Sequence, residues 1–378
     1  MKITILGPAH PFRGGIAALN ERLAKQLITE GHEVNIVSFT VQYPKILFPG
    51  KTQFSEQKET FNFPITREVN SVNPFNWIKT GRKLRQAKPD LLIVRFWLPF
   101  MGMSLGTICR QVKKNRHTKI ISVVDNFIPH EKRPGDRFLS SYFAKPVHGF
   151  LAMSGSVLND LNDFDNQKPK KLTPHPIYDH YGKIETRETA LEKLNLSKDF
   201  NYILFFGFIR DYKGLDLLIE ALTNKFFKEN KIKLLVAGEF YADPAKYLQL
   251  IKELNLEDQI ILKTDYIPNN EVQNYFNAAD IVAQPYKSAT QSGVTQIGYH
   301  FSKPMLVTDV GGLSEIIPHM KAGYVVPVDS NKIGEALIDF FENDRKNTFT
   351  ENARLEKERF SWDKMTNTIY SLAKEIEK

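Results

Sequence analysis

Tyr202-Ile203-Leu204-Phe205-Phe206-Gly207-Phe208-Ile209-Arg210-Asp211-Tyr212-Lys213-Gly214-Leu215-Asp216 opens the second half of a chain of 378 residues. Five apolar residues run into a glycine, then a short loop with two cations, then a second glycine after which helical spacing begins. Strand, glycine loop and helix in that order form the opening unit of a parallel α/β sheet. The pattern continues with apolar runs at Lys233 to Ala237, Ile260 to Leu262, Asp280 to Ala283, Pro304 to Val307 and Tyr324 to Val326.

The first half starts the same way. Short apolar runs at Ile3 to Leu6, Glu33 to Ser38, Leu91 to Arg95, Lys119 to Val124 and Gly149 to Met153 alternate with segments of helical spacing. After the first run, Ile16, Leu19, Leu23, Ala24 and Leu27 lie three or four residues apart, and Gly31 stands where a left-handed terminator belongs. Lys168 to Asn195 is rich in Lys, Pro, Tyr and Glu and reads as an interdomain linker, because Thr173-Pro174-His175-Pro176 imposes extended backbone. The expected architecture is α/β: two Rossmann-like, doubly wound domains, residues 1–184 and 185–360, facing across a cleft.

Composition agrees with a folded globular chain, with 42% hydrophobic and 25% charged residues. Cys109 is the only cysteine, which excludes an intramolecular disulfide framework and a cysteine-based zinc site and fits a reducing cytoplasm. Met1 to Gly7 is too short an apolar run for a signal peptide. Leu91 to Cys109 carries Arg95, Pro99 and two glycines and divides better into a strand and a helix than into a membrane span. Residues 1–184 hold 27 Lys/Arg against 14 Asp/Glu, whereas residues 185–378 hold 24 against 29. The first half therefore suits an anionic surface, nucleic acid or acidic lipid, although a basic half without a special partner accounts for the same numbers. No helix-turn-helix, RNA-recognition or zinc pattern accompanies the charge, so nucleic acid is not expected.

Five loops carry candidate chemistry. Gly14-Gly15 brings backbone without side chains to a helix amino terminus, where free N–H groups hold a phosphate; a plain tight turn explains the pair equally well. Arg210 and Lys213, three residues apart at the carboxyl end of a strand, can neutralise a pyrophosphate, Arg210 as a fork and Lys213 as a point charge. Ser292-Gly293 offers a second helix start, and Gly311-Gly312 a turn at the same edge. His130 follows the strand ending at Val124, where a ring nitrogen can meet a sugar hydroxyl or move a proton, or simply be satisfied in its loop. His130-Glu131 has no second ligand at helical spacing, so no metal site is expected.

Taken in order, Pro11-Phe12-Arg13-Gly14-Gly15-Ile16, the Phe206 to Asp216 stretch, Asp265-Tyr266-Ile267-Pro268, Asn277-Ala278-Ala279-Asp280 and Lys303-Pro304 leading to Gly311-Gly312 resemble the group 1 glycosyltransferases of the GT-B fold. The resemblance implies that Gly15 approaches the donor phosphates, that Arg210 and Lys213 hold the pyrophosphate, and that backbone near Tyr266 and Ile267 meets the base. It also implies that the final stretch, Phe360-Ser361-Trp362-Asp363 with the helix 361–378, crosses back onto the first domain. One departure stands out. The family's two glutamates, eight positions apart, fall here on Ala289 and Ile297, and the loop reads Thr290-Gln291-Ser292-Gly293. Amide and hydroxyl groups of Gln291, Ser292, Thr295 and Gln296 replace charge at the donor sugar, a form that a subgroup of the family carries.

The implied activity is retaining, metal-independent transfer of a sugar from a nucleotide-sugar to a saccharide or lipid-linked acceptor in cell-surface glycan assembly. The nucleotide-sugar is a substrate, and no cofactor or metal is expected. The basic first half would meet acceptor and membrane through Arg82, Lys83, Arg85 and Lys88 and through Arg110, Lys113, Lys114 and Arg116, leaving a cytoplasmic protein peripheral to the membrane. Two other readings remain open: a sugar-nucleotide-binding protein that has lost turnover, favoured by the missing glutamates, and a GT-B-fold sugar-nucleotide epimerase, which calls for further carboxylates.

Overall fold

A computed structural model describes residues 1–44, 52–55, 61–128, 134–241, 243–289 and 292–376. The chain forms two units: Met1–His175 with Trp362–Lys378, and Pro176–Ser361. The first contains β1 (Lys2–Leu6), β2 (Glu33–Val41), β3 (Ile65–Asn70), β4 (Leu91–Phe96), β5 (Lys119–Val124), β6 (Gly149–Ala152) and β7 (Lys170–Leu172). They form one sheet in the order β3-β2-β1-β4-β5-β6-β7. The second unit contains β8 (Asn201–Phe206), β9 (Ile232–Ala237), β10 (Ile260–Lys263), β11 (Ile281–Gln284), β12 (Met305–Thr308) and β13 (Gly323–Val326), ordered β10-β9-β8-β11-β12-β13.

Every pairing in both sheets is parallel, so each sheet collects all its strand ends, and the loops after them, at one edge. The central strands are continuous apolar runs because helices cover both faces. Leu92, Val94 and Phe96 enter the first core, and Ile203, Phe205, Leu234 and Val236 enter the second. Strand order reverses between β1 and β4 in one sheet and between β8 and β11 in the other. These are the topological switch points at which open α/β sheets bind ligands.

Two expectations are corrected. The stretch 168–195 is not a free linker: Lys170–Leu172 is an edge strand, and the unit boundary lies after His175 rather than after Ile184. The segment that follows is tied into the second unit by Ile177 N–H donating to the Phe360 carbonyl at 3.0 Å. Lys183 N–H donates to Gln273 Oε1 at 2.9 Å and His300 Nε2 meets the Gly182 carbonyl at 2.8 Å. With these boundaries the charge asymmetry coincides with the units, the first carrying a net +13 and the second −5.

The last helix, Trp362–Glu375, belongs to the first unit and packs beside β6, where a Cβ added at Gly149 would lie 3.0 Å from Leu372. A polar seam holds it to the first helix, Gly15–Thr29: Gln26 Nε2 donates to Asp363 at 2.8 Å, Thr366 Oγ1 to Glu30 at 2.7 Å, and Tyr370 O–H to Glu30. Burial pushes the Glu30 carboxyl up, but the hydrogen bonds from Tyr370, Gln26 and Thr366 outweigh it and hold it below the usual range. A depressed carboxylate contributes stability above its unfolded value of about 4.3 and loses it as pH falls through the lower folded value. Glu30→Gln is therefore expected to cost about 1 kcal/mol at pH 7. That cost should shrink toward zero as urea midpoints are compared at progressively more acidic pH.

Candidate functional site

Gly207 ends β8 with φ +102, and a Cβ built on it would lie 3.1 Å from Lys213 Nζ. The bare glycine is what lets the lysine fold back over the strand end. Gly238, at the end of β9, has no room for a side chain because a Cβ would meet the Gly207 carbonyl at 2.2 Å. Gly214, with φ +69, similarly lets the backbone approach Pro285, whose carbonyl oxygen would be 1.9 Å from a Cβ. Loops from β8, β9 and β11 are thus packed backbone on backbone at the switch point.

Lys213 closes the short 3-10 turn Asp211–Lys213 and is only 9% exposed. Its ammonium lies 5.4 Å from the centre of the Tyr286 ring. No carboxylate among the described residues forms an ion pair with it, and burial pushes its pKa below the ordinary lysine range, with the Arg210 charge adding to the effect. The two acids of the same motif are neutralised elsewhere. Asp216 is bridged by Lys287 at 2.7 Å and Lys246 at 3.2 Å, and Asp211 by the same two lysines. Arg210 is half-buried, its guanidinium 5.1 Å over the Tyr241 ring, and it too has no acidic partner among the described residues.

The helix Gly293–His300 starts beside this lysine: Val294 Cγ2 would lie 3.7 Å from the same Gly207 Cβ. Ser292 caps the helix, its Oγ accepting from Val294 N–H at 3.2 Å and donating to Gln284 Oε1 at 2.6 Å. Gly293 packs against the Tyr178 ring, 2.8 Å from a built Cβ. Thr295 Oγ1 is committed to the Ser292 carbonyl at 2.5 Å, so it serves the helix rather than a ligand. Gln296 is fully buried, and among the described residues neither of its amide atoms has a partner; nor does Gln284 Nε2.

Lys213, Ser292 and Gly293 are therefore brought together at one switch point, with Arg210 on the same loop. Tyr266 and Ile267, half-buried, follow β10 at the same edge but at the outer strand of the sheet, two strands away from β8. Gly14 and Gly15 belong to the first unit, where Gly14 (φ +113) caps the helix Gly15–Thr29 with open space around a built Cβ. His130 and Gln291 lie outside the described residues.

Sequence reasoning missed Tyr286 and Gln284, whose roles come from β11 lying next to β8. It also missed the pairing of Arg95 with Asp125. Arg95 is 1% exposed on β4, at the first unit's switch point, and its guanidinium grips Asp125 just beyond β5, with one nitrogen lacking a partner among the described residues. Burial pushes the Asp125 carboxyl up against the pull of Arg95. A charged residue inside the run Leu91 to Trp97 was the available signal.

Residues 186–356 match the family model described as glycosyl transferases group 1. An uncharacterized glycosyltransferase of Methanocaldococcus jannaschii is 24% identical, with 100% of this chain and 99% of that protein covered. The N-acetyl-alpha-D-glucosaminyl L-malate synthase of Bacillus anthracis is 22% identical over 91% of this chain and 89% of its own length. Among solved structures, sucrose-phosphate synthase from Thermosynechococcus elongatus superimposes with a TM-score of 0.77 at 16% identity, covering 100% of this chain and 99% of that one. Anabaena Alr3699/HepE in complex with UDP gives 0.73 at 15% identity, covering 98% and 99%. The structural likeness shows the fold: two parallel-sheet α/β domains of the GT-B type.

Proposed function

From the premise that the chain is a glycosyltransferase with a group 1 domain over residues 186–356, we propose that it transfers a sugar from a nucleoside-diphosphate donor whose diphosphate seats on Lys213. One observation carries this reading. A buried ammonium with no acidic partner among the described residues stands against the amino terminus of the helix Gly293–His300, itself a site of partial positive charge. Two positive elements facing each other without an anion cost the fold free energy, and a diphosphate removes that cost. Alr3699/HepE, of the same fold, has been captured with UDP.

As the bond between sugar and donor breaks, negative charge grows on the departing diphosphate, where Lys213, Arg210 and the helix amides are already in place. Those groups supply the neutralisation that a metal gives in other transferases, so the transfer is metal-independent. The acceptor hydroxyl attacks from the side of the leaving group and gives its proton to a phosphate oxygen, so configuration is retained. The test is incubation with UDP-, GDP- and dTDP-sugars, with and without chelator and with saccharide acceptors. One donor should release its nucleoside diphosphate at a rate the chelator does not change, giving a product of unchanged anomeric configuration. Binding without turnover of any donor, or donor conversion without acceptor, would replace this reading with a binding protein or an epimerase.

The acceptor is a saccharide or lipid-linked saccharide presented at an anionic membrane face. The net +13 of the first unit supports this, as do Phe75 (84% exposed) and Phe138 (66% exposed), each near the start of a surface helix. Exposed cations of the same unit include Arg82, Lys88, Lys113, Lys114 and Arg116, while Arg110 is spent on the Gly106 and Tyr142 carbonyls at 2.9 and 2.6 Å. No helix among the described residues is long and apolar enough to cross a membrane. At about 1 kcal/mol per cation near the surface, five such residues suffice for reversible docking. The protein should float with phosphatidylserine vesicles at low salt and detach as salt rises; failure to float at low salt counts against the docking.

A further inference from the structure

We infer that Tyr286 is the positioning residue that registers the Lys213 ammonium against the amino terminus of the helix Gly293–His300, so that the two act as one diphosphate site. The inference rests on the donor reading above and names what makes that site work. Tyr286 is 3% exposed and touches both elements at once: the face of its ring lies 5.4 Å from Lys213 Nζ, and its hydroxyl lies 3.3 Å from the capping Ser292 Oγ. Its own place is fixed from two sides. Thr308 Oγ1 donates to the Tyr286 carbonyl at 2.5 Å, and Lys287 N–H donates to the Tyr212 carbonyl at 2.7 Å, stapling the β11 loop to the turn that carries Lys213.

The chemistry of the ring fits the task. Burial pushes the Tyr286 phenol up to about 12, so at neutral pH it is uncharged and does not compete with a phosphate for the lysine. A carboxylate in its place would pair with Lys213 and close the site. The negative face of an aromatic ring attracts the ammonium without neutralising it. Lysine has a flexible four-carbon stem, so a diphosphate that depends on one point charge depends on whatever holds that charge still.

The test compares Tyr286→Leu and Tyr286→Phe, each alone and with Lys213→Ala, in calorimetric titrations of the full chain with UDP and GDP and with UMP and GMP. Tyr286→Leu should weaken the diphosphate that the intact protein binds by about tenfold. The matching monophosphate should change less than threefold, which also reports that the variant is folded. Tyr286→Phe keeps the ring beside the lysine but drops the hydroxyl link to Ser292, so it should recover only part of the loss. In the Lys213→Ala background, Tyr286→Leu should add nothing further, because its effect passes through the lysine. The inference is overturned if Tyr286→Leu binds diphosphate as the intact protein does. It is equally overturned if the loss persists undiminished without Lys213, which would make the tyrosine merely structural. If the intact protein binds neither UDP nor GDP, the donor reading falls and takes this inference with it.

Discussion

Lys213→Ala lowers turnover by about 100- to 1000-fold, the loss expected when one preorganised charge at a developing anion is removed. The ammonium is buried and has no acidic partner among the described residues, so its removal breaks no ion pair; on the proposed reading, what it removes is charge for the donor diphosphate. Lys213→Met, which keeps the buried stem, should accordingly be at least as stable as the parent while just as slow, the expected trade between a strained site and a stable fold. The pH dependence has a definite sign. Burial depresses the lysine, so its penalty on folding is full below the depressed folded value. The penalty fades as pH rises toward the unfolded value of about 10.4. The stability gained by Lys213→Met should thus be largest below that depressed value and shrink in alkaline buffer, as read from denaturant midpoints. Lys213→Arg should not restore activity, since a planar fork does not fit where Gly207 and Tyr286 leave room for one ammonium. Undiminished turnover in Lys213→Ala would remove the site assignment altogether.

The parts of this site that the sequence discloses are those that lie close together along it. Arg210 and Lys213 follow a strand and a glycine within a few residues, and Ser292-Gly293 opens a helix, so strand ends and helix starts identify them. Tyr286 lies beside the lysine and Gln284 holds the capping Ser292, but both reach this place because β11 pairs with β8 across strands that are not consecutive. Strands were legible where they form continuous apolar runs, including the edges β10 and β13 of the second sheet, and illegible at both edges of the first sheet. β3, Ile65-Thr66-Arg67-Glu68-Val69-Asn70, carries an ion-paired glutamate and an arginine, and β7 is two lysines and a leucine. Edge strands bear charge to discourage further pairing, and that charge erases the apolar run by which a strand is recognised. The boundary moved for a related reason: Tyr178 and Tyr181 bury themselves in the second unit, although the prolines before them signalled only extended chain.

Arg95 and Asp125 give the second large effect, on stability rather than turnover. Replacing Asp125 with alanine strands a guanidinium that is 1% exposed, and breaking a buried pair from one side costs about 3–5 kcal/mol. A comparable loss is expected for Arg95→Ala, which leaves the carboxylate without its guanidinium and opens a hole where the long side chain was buried. Arg95→Met with Asp125→Val removes both charges at nearly the same summed volume, so it should recover much of either single loss; desolvating the pair is expensive even when the pair is intact. Unit boundaries sharpen the test. Arg95 and Asp125 lie in the unit Met1–His175 with Trp362–Lys378, whereas Lys213 and the helix Gly293–His300 lie in Pro176–Ser361. Denaturation of Asp125→Ala should therefore shift the unfolding of the first unit, followed by the fluorescence of its tryptophans Trp77, Trp97 and Trp362. Binding of nucleoside diphosphate at temperatures below that transition should persist. If Asp125→Ala unfolds no earlier than the parent, the guanidinium has found water or another acceptor, and the pair is not what holds β4 to β5 at the switch point.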